Sequence, residues 1–293
     1  MRMHADEVHT DVPLVRRLLG EQFPEWAQLP IRRVASSGTD NALYRLGDDM
    51  VVRLPRIHWA VAGLQREIEW LPRLAPLLPV SVPVPLRDGD PGEGYPWAWA
   101  VYEWLPGLNP PIGGDGNSVA LARDLAGLVR GFQGIDLAGP SSRRGLPLAS
   151  QDEWTRAALS ELQGTIDTAA ATTAWEEALS TPEWSRPPVW LHGDLFPANL
   201  LVEKGRLSAV IDFALVGTGD PACDLIAAWS LFPPAAREVF RAELAVDDAT
   251  WARGRGWALS LALVALPYYR DTNPGFAAVA RHVLREVLTE LAG

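Results

Sequence analysis

Two carboxylates and one amide occur in this chain at a spacing that suits phosphoryl transfer. Asp194 follows the short apolar run 189–191, Asn199 comes five residues later, and Asp212 follows the second apolar run 207–211. In phosphoryl transfer one carboxylate orients and deprotonates the attacking hydroxyl, while an amide oxygen and a second carboxylate hold Mg²⁺ on the phosphates. We expect a hairpin between Asn199 and Asp212 to bring both side chains to one cleft. The segment therefore predicts a kinase-type catalytic centre.

A purely structural interpretation of the same residues is the alternative. The tripeptide His192-Gly193-Asp194 occurs by chance in many proteins, and its aspartate could simply be a helix or turn cap. The two spacings and the two flanking strands together favour the catalytic interpretation of Asp194. For Asp220, capping with Pro221 at the first helical position is a complete explanation.

The composition describes an ordinary globular chain and excludes several classes of function. The 293 residues are 48% hydrophobic, enough for one large domain or two lobes with their own cores. The net charge of −10 argues against nucleic acid as a partner and is compatible with a cationic substrate, although acidity often serves only solubility. A single cysteine, Cys223, excludes an internal disulfide. No apolar run approaches a membrane span, so we expect a cytoplasmic protein that binds neither membrane nor nucleic acid.

The elements that must position these residues change character along the chain. The first part alternates strand-like runs and turns, with strands predicted at 31–35, 42–46, 50–54 and 97–104 and helices at 11–29 and 60–75. From residue 117 onward helical patterns dominate. Further helices are predicted at 152–163, 172–180, 222–232, 235–245, 248–266 and 276–291. The chain is therefore predicted as an α+β protein with a small β-rich part, 1–103, and a larger helical part, 104–293.

The same residues resemble those of the aminoglycoside phosphotransferase family. The resemblance extends from about residue 36 to about residue 229 and rests on three motifs: His192-Gly193-Asp194 with Asn199, Ile211-Asp212-Phe213, and Gly219-Asp220-Pro221-Ala222-Cys223-Asp224-Leu225. It implies a bilobal protein-kinase-like fold with a small β-rich N-terminal lobe and a larger helical C-terminal lobe. By the same resemblance, Asp194 would be the catalytic base, and Asn199 and Asp212 would be the Mg²⁺ ligands. His192 would brace the catalytic loop, and Asp224 would support it from beneath.

The resemblance also points to an arginine where a kinase strand normally offers a lysine to the phosphates. Arg53 occupies that position, and Glu67 occupies the position of its usual helix partner. Arginine can bind phosphate bidentately but is not a neutral replacement for lysine. The stretch 51–56 is similar to one in some macrolide-phosphorylating members, which makes phosphate contact acceptable for Arg53. A solvated strand charge is the alternative.

Two further segments would contact the nucleotide. The loop 36–41 has one glycine, and we expect the amides of Gly38 and Thr39 to cradle phosphate oxygens, with an ordinary hairpin turn as the alternative. The resemblance places adenine against the backbone carbonyl of Tyr102 and the backbone amide of Trp104. ATP or GTP and Mg²⁺ are therefore the expected cofactors.

Acidic and aromatic side chains of the helical part are candidates for binding the acceptor. Acidic groups would pair with ammonium substituents and aromatic rings would stack on sugar faces. We nominate Asp152, Tyr268, Tyr269 and Asp271, with ordinary surface charge or core packing as the alternative for each. The acceptors that the resemblance implies are hydroxyl groups of antibiotics, sugars or amino alcohols.

The sequence therefore predicts an ATP- or GTP-dependent O-phosphotransferase acting on a small hydroxylated molecule such as an aminoglycoside or a macrolide. The alternative is a nucleotide-binding regulatory pseudokinase, suggested by Arg53 and the glycine-poor loop, although such a protein has no need to keep all three catalytic residues. A protein kinase is disfavoured because only residues 213–219 separate Asp212 from Asp220, too few for a segment that holds a peptide. The pattern does not indicate an oligomeric state.

Overall fold

The computed structural model describes residues 7–34 and 40–292. The chain divides into two compact units. The first comprises Met1–Gly107 with Ala209–Ala214, and the second comprises Leu108–Ser208 with Leu215–Gly293. Asp212 therefore belongs to the first unit, whereas Asp194 belongs to the second.

The first unit is built on a five-stranded antiparallel sheet with the strand order β1-β2-β3-β5-β4. Its strands are β1 (Ile31–Arg33), β2 (Asn41–Leu46), β3 (Met50–Pro55), β4 (Pro85–Gly89) and β5 (Trp99–Glu103), and its α-helices are α1 (Val12–Gln22) and α2 (His58–Leu74). Two 3-10 turns, Pro24–Trp26 and Ala75–Leu77, follow the two helices. The predicted strands and helices are present with bounds that differ most at α1, and β4 is an element that the sequence pattern did not predict.

Alternation along the strands gives this sheet an apolar face and a polar face. On the apolar face, Val52 of β3 and Val101 of β5 belong to one buried cluster with Val15 of α1. The next residues along the same two strands, Arg53 and Tyr102, point to the opposite face because successive side chains alternate. The polar face therefore carries both Arg53 and Tyr102.

α2 presents its buried stripe at helical spacing, and Glu67 is part of that stripe. The buried positions are Ala60, Gly63, Leu64, Glu67, Trp70, Leu71 and Leu74. Pro72 lies inside this helix, which continues to Leu74. Because Pro72 lies in the last turn, its missing N–H removes a single hydrogen bond at the end of the helix.

The second unit is mainly helical. Its α-helices are α3 (Ser118–Gln133), α4 (Asp152–Glu161), α5 (Thr168–Ser180), α6 (Ala227–Leu231), α7 (Pro234–Leu244), α8 (Asp248–Tyr269) and α9 (Pro274–Ala292). The 3-10 helices are Arg143–Gly145, Leu148–Gln151, Pro197–Asn199 and Pro221–Ile226. The predicted helix 222–232 is thus a 3-10 helix followed by the short α6.

Two small sheets frame the predicted catalytic segment. Strand β6 (Val189–Leu191) pairs antiparallel with β9 (Gly217–Gly219), and β7 (Leu200–Glu203) pairs with β8 (Arg206–Val210) across the predicted hairpin turn. The sequence pattern did not predict β9, because Gly-Thr-Gly carries no apolar alternation. The loop between β6 and β7 contains both His192 and Asp194.

α8 is the longest helix of the described residues and packs against several other elements of the second unit. It has 22 residues and is buried on most sides, yet it carries Arg253 and Arg255 within its length. Across residues 7–34 and 40–292, no helix has the length and apolar composition that crossing a membrane requires.

Candidate active site

The loop that carries Asp194 is held in place by the carboxylate of Asp224. The backbone amide of His192 donates to Oδ2 of Asp224 at 2.8 Å, and the amide of Gly193 donates to Oδ1 at 2.7 Å. Asp224 is 1% exposed. Burial raises the pKa of Asp224 to about 7, while the two amide bonds oppose that rise. Asp224 therefore fixes the two residues that precede Asp194.

Gly193 supplies a backbone conformation that other residues rarely adopt. Its φ is +86°, and a Cβ at this position would lie 3.1 Å from the carbonyl oxygen of Leu215. Next to it, the thiol of Cys223 donates to the Gly193 carbonyl oxygen at 3.6 Å. Burial raises the pKa of the Cys223 thiol well above its ordinary value, so this cysteine is a buried structural group.

The side chain of His192 is completely buried and bonds back to the loop in which it lies. Its Nδ1 accepts a hydrogen bond from the backbone amide of Asp194 at 3.2 Å, and its ring meets Phe132 edge to face. The side chain is therefore placed to orient the Asp194 backbone. The bracing role assigned to His192 stays a prediction that this geometry supports.

Asn199 returns to Asp194 through a tight turn, which explains the five-residue spacing. The amide of Phe196 donates to the Asp194 carbonyl at 2.8 Å, and the amide of Asn199 donates to the Phe196 carbonyl at 2.9 Å. The side-chain Nδ2 of Asn199 then donates to the Asp194 carbonyl at 2.9 Å and to Asp194 Oδ2 at 2.8 Å. The orientation of the Asp194 carboxylate is thereby set by Asn199.

A second group of interacting side chains lies on the polar face of the first unit. Nη1 of Arg53 donates to both carboxylate oxygens of Glu67 at 2.7 and 2.6 Å, and Nη2 donates to Asp212 Oδ1 at 2.9 Å. With its amide oriented to satisfy both polar atoms, Asn41 accepts from Arg53 Nη2 at 2.9 Å. We call Arg53, Glu67, Tyr102 and Asp212 the Arg53 cluster. Within the cluster Arg53 connects the predicted helix glutamate to a predicted Mg²⁺ ligand.

The charge states in the Arg53 cluster follow from burial and from the paired charges. Burial disfavours the charged guanidinium of Arg53, but the carboxylates of Glu67 and Asp212 outweigh it and hold its pKa above the ordinary value. Burial raises the pKa of Glu67, and Arg53 counteracts that rise. Because every hydrogen bond at Glu67 is donated to it, Glu67 accepts them as a carboxylate.

Asp212 adopts a left-handed backbone conformation just after its strand. Its φ is +64°, a region that aspartate tolerates better than most residues. The amide of the next residue, Phe213, donates to Glu67 Oε1 at 2.7 Å. Glu67 therefore holds the backbone immediately after Asp212, and Arg53 holds its side chain.

The predicted nucleotide contact at Trp104 has a partner within the protein. The backbone amide of Trp104 donates to the carbonyl of Asp49 at 2.7 Å, and its bond to the adenine base stays a prediction. The indole of Trp104 is covered by the guanidinium of Arg45, 4.0 Å from its centroid. The bond to Asp49 continues the pairing of β3 with β5 beyond the strand ends. Gly38 and Thr39, the other predicted contacts of this kind, lie outside the described residues.

The Tyr102 hydroxyl is a contact that the sequence reasoning missed. It donates to Glu67 Oε2 at 2.9 Å, although only the backbone carbonyl of Tyr102 had been predicted to matter. The signal that could have found it is the strand alternation that puts Tyr102 and Arg53 on one face.

The family of the chain follows from its sequence profile. The profile described as the phosphotransferase enzyme family, APH, matches residues 31–257, more than half of the chain. The chain belongs to this family. The predicted family and the predicted enzyme class, a phosphotransferase, are confirmed. No curated protein matches the sequence.

Solved structures with the fold of this phosphotransferase include antibiotic-modifying enzymes. The GDP and kanamycin complex of APH(2")-IIia has a TM-score of 0.75 and 18% identity, covering 94% of this chain and 98% of that chain. The ADP-bound aminoglycoside phosphotransferase APH(2'')-Ib has a TM-score of 0.62 and 16% identity, covering 94% and 98%. The apoenzyme of macrolide 2'-phosphotransferase MphH from Brachybacterium faecium has a TM-score of 0.61 and 23% identity, covering 94% and 97%. These structures confirm the predicted α+β, protein-kinase-like fold.

Two of the residues nominated to bind the acceptor molecule, Tyr268 and Tyr269, connect to the Asp194 loop of the phosphotransferase through aromatic contacts. Tyr269 packs against Phe276 with centroids 4.9 Å apart, and Phe276 packs against Phe196 of the loop at 5.8 Å. Tyr268 adjoins Tyr269 and is 55% exposed. The aromatic row therefore begins two residues after Asp194.

The two nominated acidic residues are engaged by neighbouring side chains. Asp152 accepts from the indole nitrogen of Trp175 at 2.8 Å and pairs with Arg156 at 2.8 Å, and these bonds hold its pKa below the ordinary value. Asp271 is largely exposed and lies 3.4 Å from Arg270. The contacts of Asp152 favour the structural interpretation of that residue.

The candidate metal ligands of the phosphotransferase are oxygen donors. No group of three or more His, Cys, Asp or Glu side chains in the described part of the chain could hold a metal by itself. Mg²⁺ on a nucleotide keeps waters and phosphate oxygens and takes only one or two protein ligands. Because Asn199 turns its amide nitrogen to Asp194, its amide oxygen is directed elsewhere. Asn199 and Asp212 each fit the donor chemistry that Mg²⁺ requires.

Proposed function

We propose that this phosphotransferase transfers the terminal phosphate of ATP or GTP to a hydroxyl group of a small molecule. The observation that carries the proposal is the orientation of Asp194 by Asn199, in a loop that Asp224 holds at both preceding amides. A carboxylate fixed in this way can accept the proton of an acceptor hydroxyl as the hydroxyl attacks the phosphate.

The proposed base is Asp194, and its neighbours have supporting roles. Asn199 donates to one carboxylate oxygen and so limits rotation of the group that must meet the hydroxyl. His192 accepts the Asp194 amide and keeps the backbone in register with the carboxylate. Asn199 and Asp212 are the proposed Mg²⁺ ligands. When bound, Mg²⁺ would neutralise charge on the phosphate oxygens.

The proposed nucleotide ligands begin with Arg53. Its guanidinium stays charged, is fixed on one side by Glu67, and presents a planar fork that suits phosphate oxygens. The amides of Gly38 and Thr39 remain proposed phosphate contacts. The Tyr102 carbonyl remains the proposed contact of the base at the end of β5.

The proposed acceptor is an antibiotic of the aminoglycoside or macrolide type, or a related sugar or amino alcohol. The fold shared with a kanamycin complex and with a macrolide 2'-phosphotransferase supports this range. Among the residues nominated to bind the acceptor molecule, Tyr268 and Tyr269 are better supported, because their row of aromatic contacts reaches the Asp194 loop. Asp271 and Asp152 would contribute charge if the acceptor is cationic.

The experiment is a product assay on the purified chain with Mg·ATP and with Mg·GTP. Aminoglycosides, macrolides, sugars and amino alcohols are ranked by thermal shift, and phosphorylated products of the best binders are identified by mass spectrometry. We expect Asp194→Asn to lose at least about a thousandfold in turnover, since a general base contributes roughly 10²–10⁴-fold and this loop also positions the acceptor. Asp248→Asn, an exposed acid in α8, serves as the control and should keep wild-type turnover.

The regulatory pseudokinase gives a different pattern in the same assay. The contact of Arg53 with Asp212 is the observation that motivates this alternative. A chain that only binds nucleotide would show tight nucleotide binding and no phosphorylated product across the panel. Near-normal turnover in Asp194→Asn would remove the base assignment while leaving the phosphotransferase activity in place.

A further inference from the structure

Glu67 receives hydrogen bonds from three separate segments of the first unit. Arg53 of β3 contacts both of its oxygens, the Phe213 amide contacts Oε1, and the Tyr102 hydroxyl of β5 contacts Oε2. Glu67 itself comes from α2 and is completely buried. Its carboxylate therefore depends on donors, because water does not reach it.

The sheet register explains why the Tyr102 hydroxyl can reach this carboxylate. Val51 lies opposite Tyr102, and Arg53 is two residues further along the same strand. Arg53 and Tyr102 are therefore diagonal neighbours on one face, a separation of about 7–8 Å that long side chains span. Glu67 lies above this pair and accepts from both.

The hydroxyl contributes something that a phenyl ring in the same place would lack. Each Glu67 oxygen accepts one bond from Arg53 and one from a second donor, Phe213 on one side and Tyr102 on the other. Two such flanking donors fix the plane of the carboxylate. Without the Tyr102 donor, Oε2 keeps only Arg53, and the carboxylate and guanidinium can rotate together. Arg53 would then keep its contacts with Asp212 and Asn41, but its Nη1 would bond a carboxylate whose plane is no longer fixed.

We propose that Tyr102 is a positioning residue for phosphate binding: its hydroxyl fixes Glu67 and, through Glu67, the orientation of the Arg53 guanidinium. This inference rests on the proposed function, in which Arg53 binds the nucleotide phosphates. The Tyr102 hydroxyl therefore affects binding of the charged phosphate chain. Binding of the nucleoside does not depend on this hydroxyl.

Tyr95 provides a matched control within the same unit. Like Tyr102 it is 2% exposed, and its hydroxyl donates to a buried acceptor, the Pro55 carbonyl, at 2.7 Å. This hydroxyl does not donate to Glu67 in the described residues. Tyr102→Phe and Tyr95→Phe therefore remove equivalent buried hydroxyls, and only the first removes a donor to Glu67.

The test compares the binding of Mg·ATP, Mg·GTP and the free nucleosides adenosine and guanosine to the full chain by calorimetry or competition. We expect Tyr102→Phe to weaken triphosphate binding at least about tenfold, as loss of a hydrogen bond to a charged group does. Nucleoside binding should stay within about twofold of wild type, since the nucleoside carries no phosphate for Arg53 to hold. Tyr95→Phe should leave triphosphate and nucleoside binding unchanged while lowering the unfolding midpoint.

Other outcomes overturn the inference, and each has a distinct meaning. If Tyr102→Phe matches Tyr95→Phe in all bindings, the hydroxyl is only structural. If triphosphate and nucleoside lose affinity equally, Tyr102 acts on the base and not through Arg53. If the wild-type chain binds no nucleotide, the proposed function fails together with the inference. Where product is formed, Tyr102→Phe should raise the nucleotide KM and leave the acceptor KM unchanged.

Discussion

Arg253 and Asp220 form a buried ion pair at the start of the 3-10 helix Pro221–Ile226. Nε of Arg253 donates to Asp220 Oδ2 at 2.7 Å and Nη2 donates to Oδ1 at 3.2 Å, and each side chain is 4% exposed. Asp220 also caps the 3-10 helix Pro221–Ile226 by accepting from the Ala222 amide at 3.0 Å. The predicted cap is confirmed, but capping is not a complete explanation of Asp220, because the residue also fixes α8 to this helix.

Removing Arg253 should destabilise the fold strongly. Arg253→Leu leaves the Asp220 carboxylate buried without its counter-charge, which costs about 3–5 kcal/mol. The free energy of unfolding, measured by urea denaturation, should fall by that amount. In the double variant Asp220→Asn with Arg253→Leu most of the loss should be recovered, since asparagine keeps the cap and carries no charge.

The control for this prediction is an exposed ion pair of the same unit. Arg241 pairs with Asp248 at 2.5 Å, and the Asp248 side chain is 99% exposed. Arg241→Leu should change the unfolding midpoint little, because an exposed pair is screened by water. Equal losses in Arg241→Leu and Arg253→Leu would contradict the argument from burial.

The buried Asp224 predicts a specific dependence of stability on pH. Burial raises the pKa of Asp224 to about 7, whereas an unfolded aspartate titrates near 3.9. Between these values the folded chain binds more protons than the unfolded chain, so the contribution of Asp224 to stability falls as pH rises. The free energy of unfolding of wild type relative to Asp224→Asn should fall between about pH 4 and 7 by up to about 1.4 kcal/mol per pH unit and level off above that range.

Asp247→Asn is the matched control for the pH experiment. The Thr250 amide holds the pKa of Asp247 below its ordinary value, so this group does not titrate between about pH 5 and 8. The pH slope of Asp247→Asn should equal that of wild type across this range. A pH-independent difference between wild type and Asp224→Asn would show that Asp224 stays ionised in the folded chain.

The parts of the site that could be predicted from sequence are those set by local spacing. The five residues from Asp194 to Asn199 form one tight turn, so their contact follows from the sequence alone. The pairing of Arg53 with Glu67 was also predicted, because the kinase pattern names both positions. Fold class followed from the change between strand-like and helical periodicity.

The parts that could not be predicted depend on contacts between distant segments. Asp220 meets Arg253 33 residues later in the chain, and neither residue carries a pattern that names its partner. Strand alternation places Tyr102 and Arg53 on one face of the sheet, but it does not show that Glu67 of α2 lies against that face. The bond of the Trp104 amide to the Asp49 carbonyl depends on the register of β3 with β5. The sequence does not show that register, so this bond was not predicted.

The approach of β9 to the 3-10 turn Arg143–Gly145 requires glycine at position 219. A Cβ on Gly219 would lie 2.4 Å from both Cα and O of Gly145, which is backbone that cannot move aside by rotation. Gly219→Ala should therefore separate the two segments, lower the unfolding midpoint and reduce turnover, because Asp220 and Asp224 follow in the same segment. Circular dichroism melts and the product assay measure both effects.

Gly127 in the middle of α3 gives the opposite expectation for the same substitution. Nothing lies within 4 Å of a Cβ built there, and the residue is in regular helix. Gly127→Ala should raise the free energy of unfolding by about 0.5–1 kcal/mol. Destabilisation by Gly127→Ala, or a neutral Gly219→Ala, would show that the space around these glycines differs from that described.

Replacing Arg53 by the lysine that kinases usually carry tests why this chain has arginine. Two different nitrogens of Arg53 serve Glu67 and Asp212 at once, and a single ammonium cannot reproduce this planar arrangement. Arg53→Lys should keep the contact with Glu67 and lose the bond to Asp212, lowering the free energy of unfolding by roughly 1.5–3 kcal/mol. Urea denaturation without ligand measures this loss. Nucleotide affinity, measured separately, should fall by about tenfold, since the fork that would hold two phosphate oxygens becomes a point charge. Wild-type stability and affinity in Arg53→Lys would mean that the position needs only a positive charge next to Glu67.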